Sequence, residues 1–182
     1  MATLFVDKVD PQSGTSLEIG SSGDTITTAT GAKPSFLNPS FQAFLSGDQT
    51  LSHDTTTIVA WDGETFDSDS DFDTSNYRFT PSVAGKYFVY VTCNVDVTNG
   101  FYYASSEVLK NGSNISSARI LNIWENLSSS DDSVEGIFLT YHGIVEMNGS
   151  SDYLTVNAYQ ASGNAGNIKG TRSIWGAYRI VA

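Results

Sequence analysis

Three features of the sequence predict an all-β sandwich. Long segments alternate apolar and polar residues, as strands with one buried face do. Dense turn signals such as Asn99-Gly100, Asn111-Gly112 and Asn148-Gly149 separate these segments. No segment longer than two helical turns combines helical periodicity with capping residues. Many short strands at this spacing favour a sandwich or jelly roll over a parallel α/β sheet.

The alternation and the turns together predict nine strands. In chain order they span 41–46, 57–61, 76–80, 86–97, 102–110, 118–125, 135–147, 152–160 and 172–181. The third should place Tyr77 and Phe79 on one side, because successive strand residues face opposite ways. Pro81 cannot donate to a ladder and ends that strand, whereas Gly85 supplies the permissive backbone from which the next begins.

The strand over 86–97 has two different faces. Its odd positions form an almost unbroken apolar row that predicts a core face, and its even positions include Phe88 and Tyr90. The strands over 135–147 and 152–160 repeat this pattern and add Phe138 and Tyr159. Subunit contacts are rich in aromatics and poor in central charge, so we interpret these four aromatics as an oligomer interface. Cover by loops of the same chain is the alternative.

The charge of the chain limits its partners. Nine Lys and Arg against twenty Asp and Glu give a formal net charge of −11. Such a surface repels phosphate backbones and anionic membranes, which argues against nucleic acid and membrane partners. No apolar run approaches the roughly 18 residues of a membrane span, and no secretory signal is predicted. The one cysteine, Cys93, falls in the apolar row and is interpreted as a small core residue.

Residues 1–33 differ from the rest of the chain. Their short apolar stretches, separated by Gly-Ser turns, are too few to build a core, so the segment must dock onto a neighbour or wind with copies of itself. We therefore predict an extended β segment for anchoring over 1–33 and a globular head over 34–182. The candidate anchoring residues are Leu4, Phe5, Val6, Leu17, Ile19 and Ile26.

A family resemblance begins at Phe72-Asp73 and continues through Phe79-Thr80-Pro81 and Gly85-Lys86-Tyr87-Phe88. These residues resemble the signature of the globular head of complement-type proteins, a trimeric jelly roll related to tumour necrosis factor. Leu109-Lys110-Asn111-Gly112 and the closing stretch 173–180 extend the match, which covers about residues 36–182. The resemblance implies a ten-stranded jelly-roll sandwich that forms a homotrimer, with Phe88, Tyr90, Phe138 and Tyr159 packed around the threefold axis.

Two departures from that family concern the ends of the match. The chain has no collagen-like stalk, and Asn148-Gly149-Ser150-Ser151-Asp152 replaces the usual Gly-Asp before the penultimate strand. The amino-terminal stretch from Val6 to Ile26 is instead similar to segments of bacteriophage fibre and virion surface proteins. Together the two resemblances imply a bacteriophage structural protein at the virion surface, with residues 1–33 bound to other virion proteins.

Enzymatic activity is not predicted. His53 and His142 are the only histidines, and neither has a local nucleophile or the spacing of a zinc site. No cofactor is expected. The one candidate ion is calcium, which prefers oxygen ligands. If the acidic run were extended, its carboxylates would lie on one edge; a solvated loop is the favoured interpretation. The weak calcium candidates are Asp67, Asp69, Asp71 and Asp73.

Two functions fit these expectations. The first is a fibre knob for host attachment, with loops at its distal end that bind a host surface glycan or protein. The second is a capsid-decorating or head-fibre protein anchored to the shell through residues 1–33. A secreted complement-like protein is disfavoured by the absence of a signal peptide. The candidate ligand loops are 98–103, 111–117, 126–134 and 161–171, with Tyr102, Asn114, Asn126 and Asn164 as candidate contacts.

Overall fold

The computed structural model describes residues 22–23, 39–97, 103–119, 123–124 and 134–181. The chain divides into two compact units, Met1–Leu37 and Asn38–Ala182. The six candidate anchoring residues lie outside the described residues, so the anchoring role of 1–33 stays a prediction. No helix in the described ranges is long and apolar enough to cross a membrane.

The second unit is built from β-strands and one 3₁₀ helix, Gly170–Arg172. The described strands are β1 (Ser40–Phe44), β2 (Gln49–Leu51), β3 (Thr57–Ile58), β4 (Gly63–Asp67), β5 (Phe72–Asp73), β6 (Arg78–Phe79), β7 (Gly85–Val97), β8 (Tyr103–Lys110), β9 (Ser113–Arg119), β10 (Ile123–Trp124), β11 (Val134–Met147), β12 (Leu154–Ala161), β13 (Gly166–Ile168) and β14 (Ile174–Val181).

These strands form two seven-stranded sheets. In the first sheet β11 pairs with one edge of β7, while β14 and β13 share its other edge. β14 leads on to β1 and β4, and β13 leads on to β2. In the second sheet β8 and β12 pair at the centre, flanked by β9 and β10 on one side and by β3, β6 and β5 on the other. All of these ladders are antiparallel.

The core lies between the inner faces of the two sheets. The odd residues of β7 are fully buried, as the apolar row predicts: Tyr87, Val89, Val91, Cys93 and Val95. Phe41 of β1 stacks on Phe72 at 4.8 Å and on Phe79 at 4.4 Å between ring centroids, and Trp175 meets its ring edge-on at 5.1 Å. Phe72 and Phe79 thus join the second sheet to the first through the core.

The two ends of the sandwich are distinguished by the strand registers. Ser40 pairs with Tyr178, which pairs with Phe88 near the start of β7. Lys110 Nζ donates to the backbone oxygen of Glu146 at 2.6 Å, so the end of β8 lies there too. We call this the proximal end, because the head's first strand starts there. The opposite, distal end holds Val97, Tyr103, Val134 and Ala161.

The all-β prediction is confirmed, and the long strands follow the predicted spans within two residues at either end. Ten strands are three residues or longer, and four two-residue strands bring the described total to fourteen rather than ten. The span 118–125 is wrong, because β9 already starts at Ser113. Tyr77 has a φ of 55° and lies in the turn before β6, so it does not share a strand face with Phe79.

Candidate functional site

The outer face of the first sheet exposes an apolar surface, which we call the aromatic face. The strand registers align its residues in rows across five strands. Seven of the eight exposed large hydrophobic side chains in the described part of the chain lie on it, including Phe138 at 55% and Ile144 at 61% exposure. Its members are Phe44, Phe66, Phe88, Tyr90, Phe138, His142, Ile144, Ile174, Tyr178 and Ile180.

The centre of the aromatic face is ordered by Tyr90. Gly176 lies directly opposite Tyr90 on β14, and Gln42 lies opposite Gly176 on β1. The Tyr90 side chain crosses the glycine and its hydroxyl donates to Gln42 Oε1 at 3.0 Å. A Cβ at Gly176 would stand 2.3 Å from that hydroxyl oxygen, so only glycine leaves room for this crossing. Burial raises the pKa of Tyr90, which keeps its hydroxyl protonated and donating.

A second aromatic group lies beside Tyr90. The Phe88 ring is 5.3 Å from the Tyr178 ring and 6.4 Å from the His142 ring, which is nearly parallel to it. Charged residues enter the outward rows of β7 and β11 only at the ends, where Lys86 pairs with Glu146 at the proximal end. Burying such a face against a partner would desolvate no ion at its centre, which favours association.

The predicted interface residues do not all share this face. Phe88, Tyr90 and Phe138 lie on it, whereas Tyr159 belongs to β12 of the other sheet and points away from the core there. Its hydroxyl donates to Asp54 Oδ1 at 2.7 Å. Tyr159 therefore does not share a face with the other three, since the sequence shows alternation within a strand but not the sheet to which the strand belongs. Its place in an interface stays a prediction.

Other members of the aromatic face were missed from the sequence. Ile174, Tyr178 and Ile180 stand at alternate positions of β14, opposite the buried Trp175 and Ala177. That two-residue alternation was the available signal. Phe44 and Phe66 lie on β1 and β4, which are too short to show such a pattern.

The four candidate calcium ligands are used as turn acceptors instead. Asp67 accepts from the amide of Phe72 at 2.9 Å, and Asp71 accepts from the amide of Ser82 at 3.0 Å. Asp73 accepts from the amides of Ser75 and Asn76, and the side-chain hydrogen bond from Asn76 is the main cause that lowers its pKa. Asp69 accepts from the Ser68 hydroxyl.

The acidic run is therefore a turn and not an extended edge, and Ser70 within it has a φ of 59°. Each carboxylate is directed to separate nearby donors rather than toward a shared point. Across the described ranges, no three His, Cys, Asp or Glu residues form a group that could hold a metal ion. The favoured interpretation, an acidic loop, therefore agrees with the structure, and the alternative of an extended run with all four Asp on one edge does not.

The candidate ligand loops lie at both ends of the head. Asn164 follows β12 at the distal end, whereas Asn114 lies in β9 close to the proximal end. The prediction that 111–117 joins the other loops at one end was wrong, because β8 runs the full length of the sheet before Asn111 turns the chain back. Tyr102 and Asn126 lie outside the described residues.

The two histidines have different surroundings. His53 Nδ1 accepts from the amides of Ser162 and Gly163 at 3.2 and 3.0 Å, and its Nε2 is 3.3 Å from Asp54 Oδ2. It therefore ties the turn after β12 to the segment before β3, which is a structural role. His142 stands outward on the aromatic face, opposite Tyr90.

Three solved structures share this fold at low sequence identity. The globular domain of a zebrafish complement 1qA protein aligns with a TM-score of 0.52 and 10% identity over 79% of this chain and 97% of that one. Eiger TNF from S. frugiperda aligns with a TM-score of 0.52 and 14% identity over 80% of this chain and 93% of that one. Murine APRIL aligns with a TM-score of 0.53 and 12% identity over 79% of this chain and 99% of that one. No family model and no curated protein matches the chain. The likeness establishes a jelly-roll sandwich of the complement and tumour necrosis factor type.

Proposed function

We propose that this chain is a non-enzymatic bacteriophage virion protein whose head forms a trimeric knob at the virion surface, as part of a fibre used in host attachment. The aromatic face is the observation that carries this proposal. Exposed apolar patches beyond a few hundred Å² on a soluble protein mark interaction sites. Here the patch spans the width of a sheet and has no charged residue in the central rows of β7 and β11.

Copies of the same chain are the partner that this face suits best. Its own rows of Phe, Tyr and Ile offer matching apolar surfaces, and a closed ring of copies satisfies every copy equally. The jelly-roll fold of the complement and tumour necrosis factor type supports a threefold arrangement, as the sequence resemblance implies. Phe88, Tyr90 and Phe138 would then be buried between neighbours.

The direction of the chain supports an attachment role. The first strand of the head starts at the proximal end, so the chain enters the head there. Val97, Tyr103, Val134 and Ala161, which flank or bound three of the candidate ligand segments, lie at the opposite, distal end. The resemblance of residues 6–26 to phage fibre and virion surface proteins supports the virion location.

Two measurements test this proposal. Sedimentation equilibrium of the full chain should give three times the mass of one chain at micromolar concentration, and a monomer would overturn the trimer. Electron microscopy of intact virions with gold-labelled antibody against the head should place label along tail or side fibres. Label on the capsid shell would contradict the attachment role and favour a decoration protein. Absence of label from purified virions would contradict both.

A further inference from the structure

We propose that a groove on the outer face of the second sheet binds a neutral saccharide. The groove lies over β8 and β12 and has a volume of about 240 Å³. Its lining includes Thr56, Tyr103, Ser105, Glu107, Asn157 and Tyr159. This inference rests on the proposed attachment function for its biological meaning, and it deepens that function by naming a ligand class and a site apart from the distal segments.

The strand register brings the lining side chains together. Tyr159 is directly opposite Ser105, and Asn157 is directly opposite Glu107, on the outward side of the two central strands. Side chains opposite each other on neighbouring strands have Cβ atoms about 5 Å apart, so the four form one continuous surface. Because central strands are held by neighbours on both edges, this surface is preorganised, and Thr56 from the segment before β3 completes the lining.

Two tyrosine rings form one wall of the groove. The centroids of Tyr103 and Tyr159 are 5.5 Å apart and their planes are inclined at 59°. Asp54 Oδ1 accepts a hydrogen bond from the Tyr159 hydroxyl at 2.7 Å. This hydrogen bond fixes the ring and raises the pKa of Tyr159. Aromatic rings with a fixed orientation suit the C–H face of a pyranose, which is apolar while its edges carry hydroxyls.

Polar side chains form the rest of the groove. The hydroxyls of Thr56 and Ser105, the amide of Asn157 and the carboxylate of Glu107 line it and offer both donors and acceptors to sugar hydroxyls. Asn157 Oδ1 is shielded from solvent and has no hydrogen-bond partner among the described residues, so the amide gains an acceptor contact when it turns toward a bound sugar hydroxyl.

The charge and the size of the groove limit the class of ligand that it can bind. Glu107 is the only ionisable group with a full charge among the six named lining residues, Asp54 adjoins Tyr159, and the whole chain carries −11, so an anionic sugar or a phosphate would be repelled. The volume is below the usual range for drug-sized ligands and suits a single sugar ring, so one ring of a disaccharide would occupy the groove. The groove lies on the sheet opposite the aromatic face, so a trimer formed through that face leaves it open.

The test uses the purified full chain and three neutral disaccharides, lactose, maltose and chitobiose, with sialyllactose as an anionic comparison. Calorimetric titration should show binding of at least one neutral sugar, and the ring NMR signals of Tyr103 and Tyr159 should shift as that sugar is added. Asn157→Ala and Tyr103→Ala should each weaken that binding at least tenfold. Thr140→Ala, on the other sheet, is the matched control and should bind as the wild type does.

Three results would overturn the proposed binding site. The first is that no neutral disaccharide binds at about 10 mM, since a dissociation constant above that concentration is weaker than those of ordinary specific ligands. The second is binding that is unchanged in both variants, and the third is binding of sialyllactose alone. If the variants fail to fold, the ring NMR signals of the wild type decide, since a ligand bound elsewhere would leave the chemical shifts of Tyr103 and Tyr159 unchanged. A chain that assembles as a trimer on virion fibres yet binds no sugar would refute the groove and leave the proposed function standing.

Discussion

The two outer faces of this sandwich differ although the sheets bury their inner faces in the same way. Seven exposed large hydrophobic side chains crowd the outer face of the first sheet, while Ile58 at its edge is the one counterpart on the second among the described residues. An antiparallel sheet with one solvated face normally alternates apolar inward and polar outward residues. The second sheet largely follows that pattern with Ser105, Glu107 and Asn157, and the first does not. The difference supports the proposal that the first face packs against another copy of the chain while the second stays open.

The largest expected effect comes from a charge placed on the aromatic face. Ile144→Lys should convert the proposed trimer to a monomer, because an unpaired ammonium buried between subunits costs several kcal/mol. Ile144 is 61% exposed in the single chain, so the monomer itself should remain folded. Sedimentation measures the mass, and circular dichroism checks the fold.

The second sheet provides the matched control for that change. Ile58→Lys alters an isoleucine that is 49% exposed on the other sheet, and this variant should remain trimeric. The comparison between faces would be broken if Ile58→Lys dissociated the trimer and Ile144→Lys did not.

A smaller effect is expected at the centre of the aromatic face. Gly176→Ala should lower the free energy of unfolding by about 1–3 kcal/mol, because its methyl group would overlap the Tyr90 ring and the Phe41 carbonyl. Gly47→Ala is the control, since nothing lies within 4 Å of a Cβ there. Urea denaturation at one fixed protein concentration measures both, as oligomer stability depends on concentration. Equal free energies of unfolding for Gly176→Ala and Gly47→Ala would show that Tyr90 moves aside freely.

On the outer face of the second sheet, the expected effect is a change in the pKa of Tyr159. The hydrogen bond to Asp54 raises the pKa of Tyr159, so this contribution to stability is complete below the ordinary tyrosine value of 10.0 and is lost as pH rises through the raised value. Asp54→Asn should therefore shift the Tyr159 ionisation to lower pH. Ring-carbon NMR shifts against pH report it, with Tyr159→Phe to assign the signal. An unchanged midpoint would show that Asp54 does not hold this ring.

The smallest effect is expected from salt. Raising NaCl from about 0.05 M to about 1 M shortens the Debye length, the distance over which exposed charges act on each other, to a few ångström. The trimer should keep its mass, because charges flank the aromatic face rather than crossing its centre. Dissociation at high salt would indicate that ion pairs such as one involving Lys86 or Glu146 hold the subunits together.

The sequence by itself determined the local character of the long strands. The rows of β7, with Tyr87 and Val89 inward and Phe88 and Tyr90 outward, could be read directly because side-chain direction alternates with every residue. The same reasoning found the two-sided strands β11 and β12. It also placed Cys93 among the buried residues, since apolar side chains on a two-faced strand take the core side.

Only the tertiary structure decided which of these strands lie together. It placed Tyr159 on the opposite sheet from Phe88, folded Asp67 and Asp71 into a turn, and set Asn114 and Asn164 at opposite ends of the head. Pairing between strands joins residues far apart in the chain, and a short strand such as β13 is formed by its neighbours rather than by its own pattern. Alternation is a local property, whereas sheet membership depends on contacts that no single strand encodes.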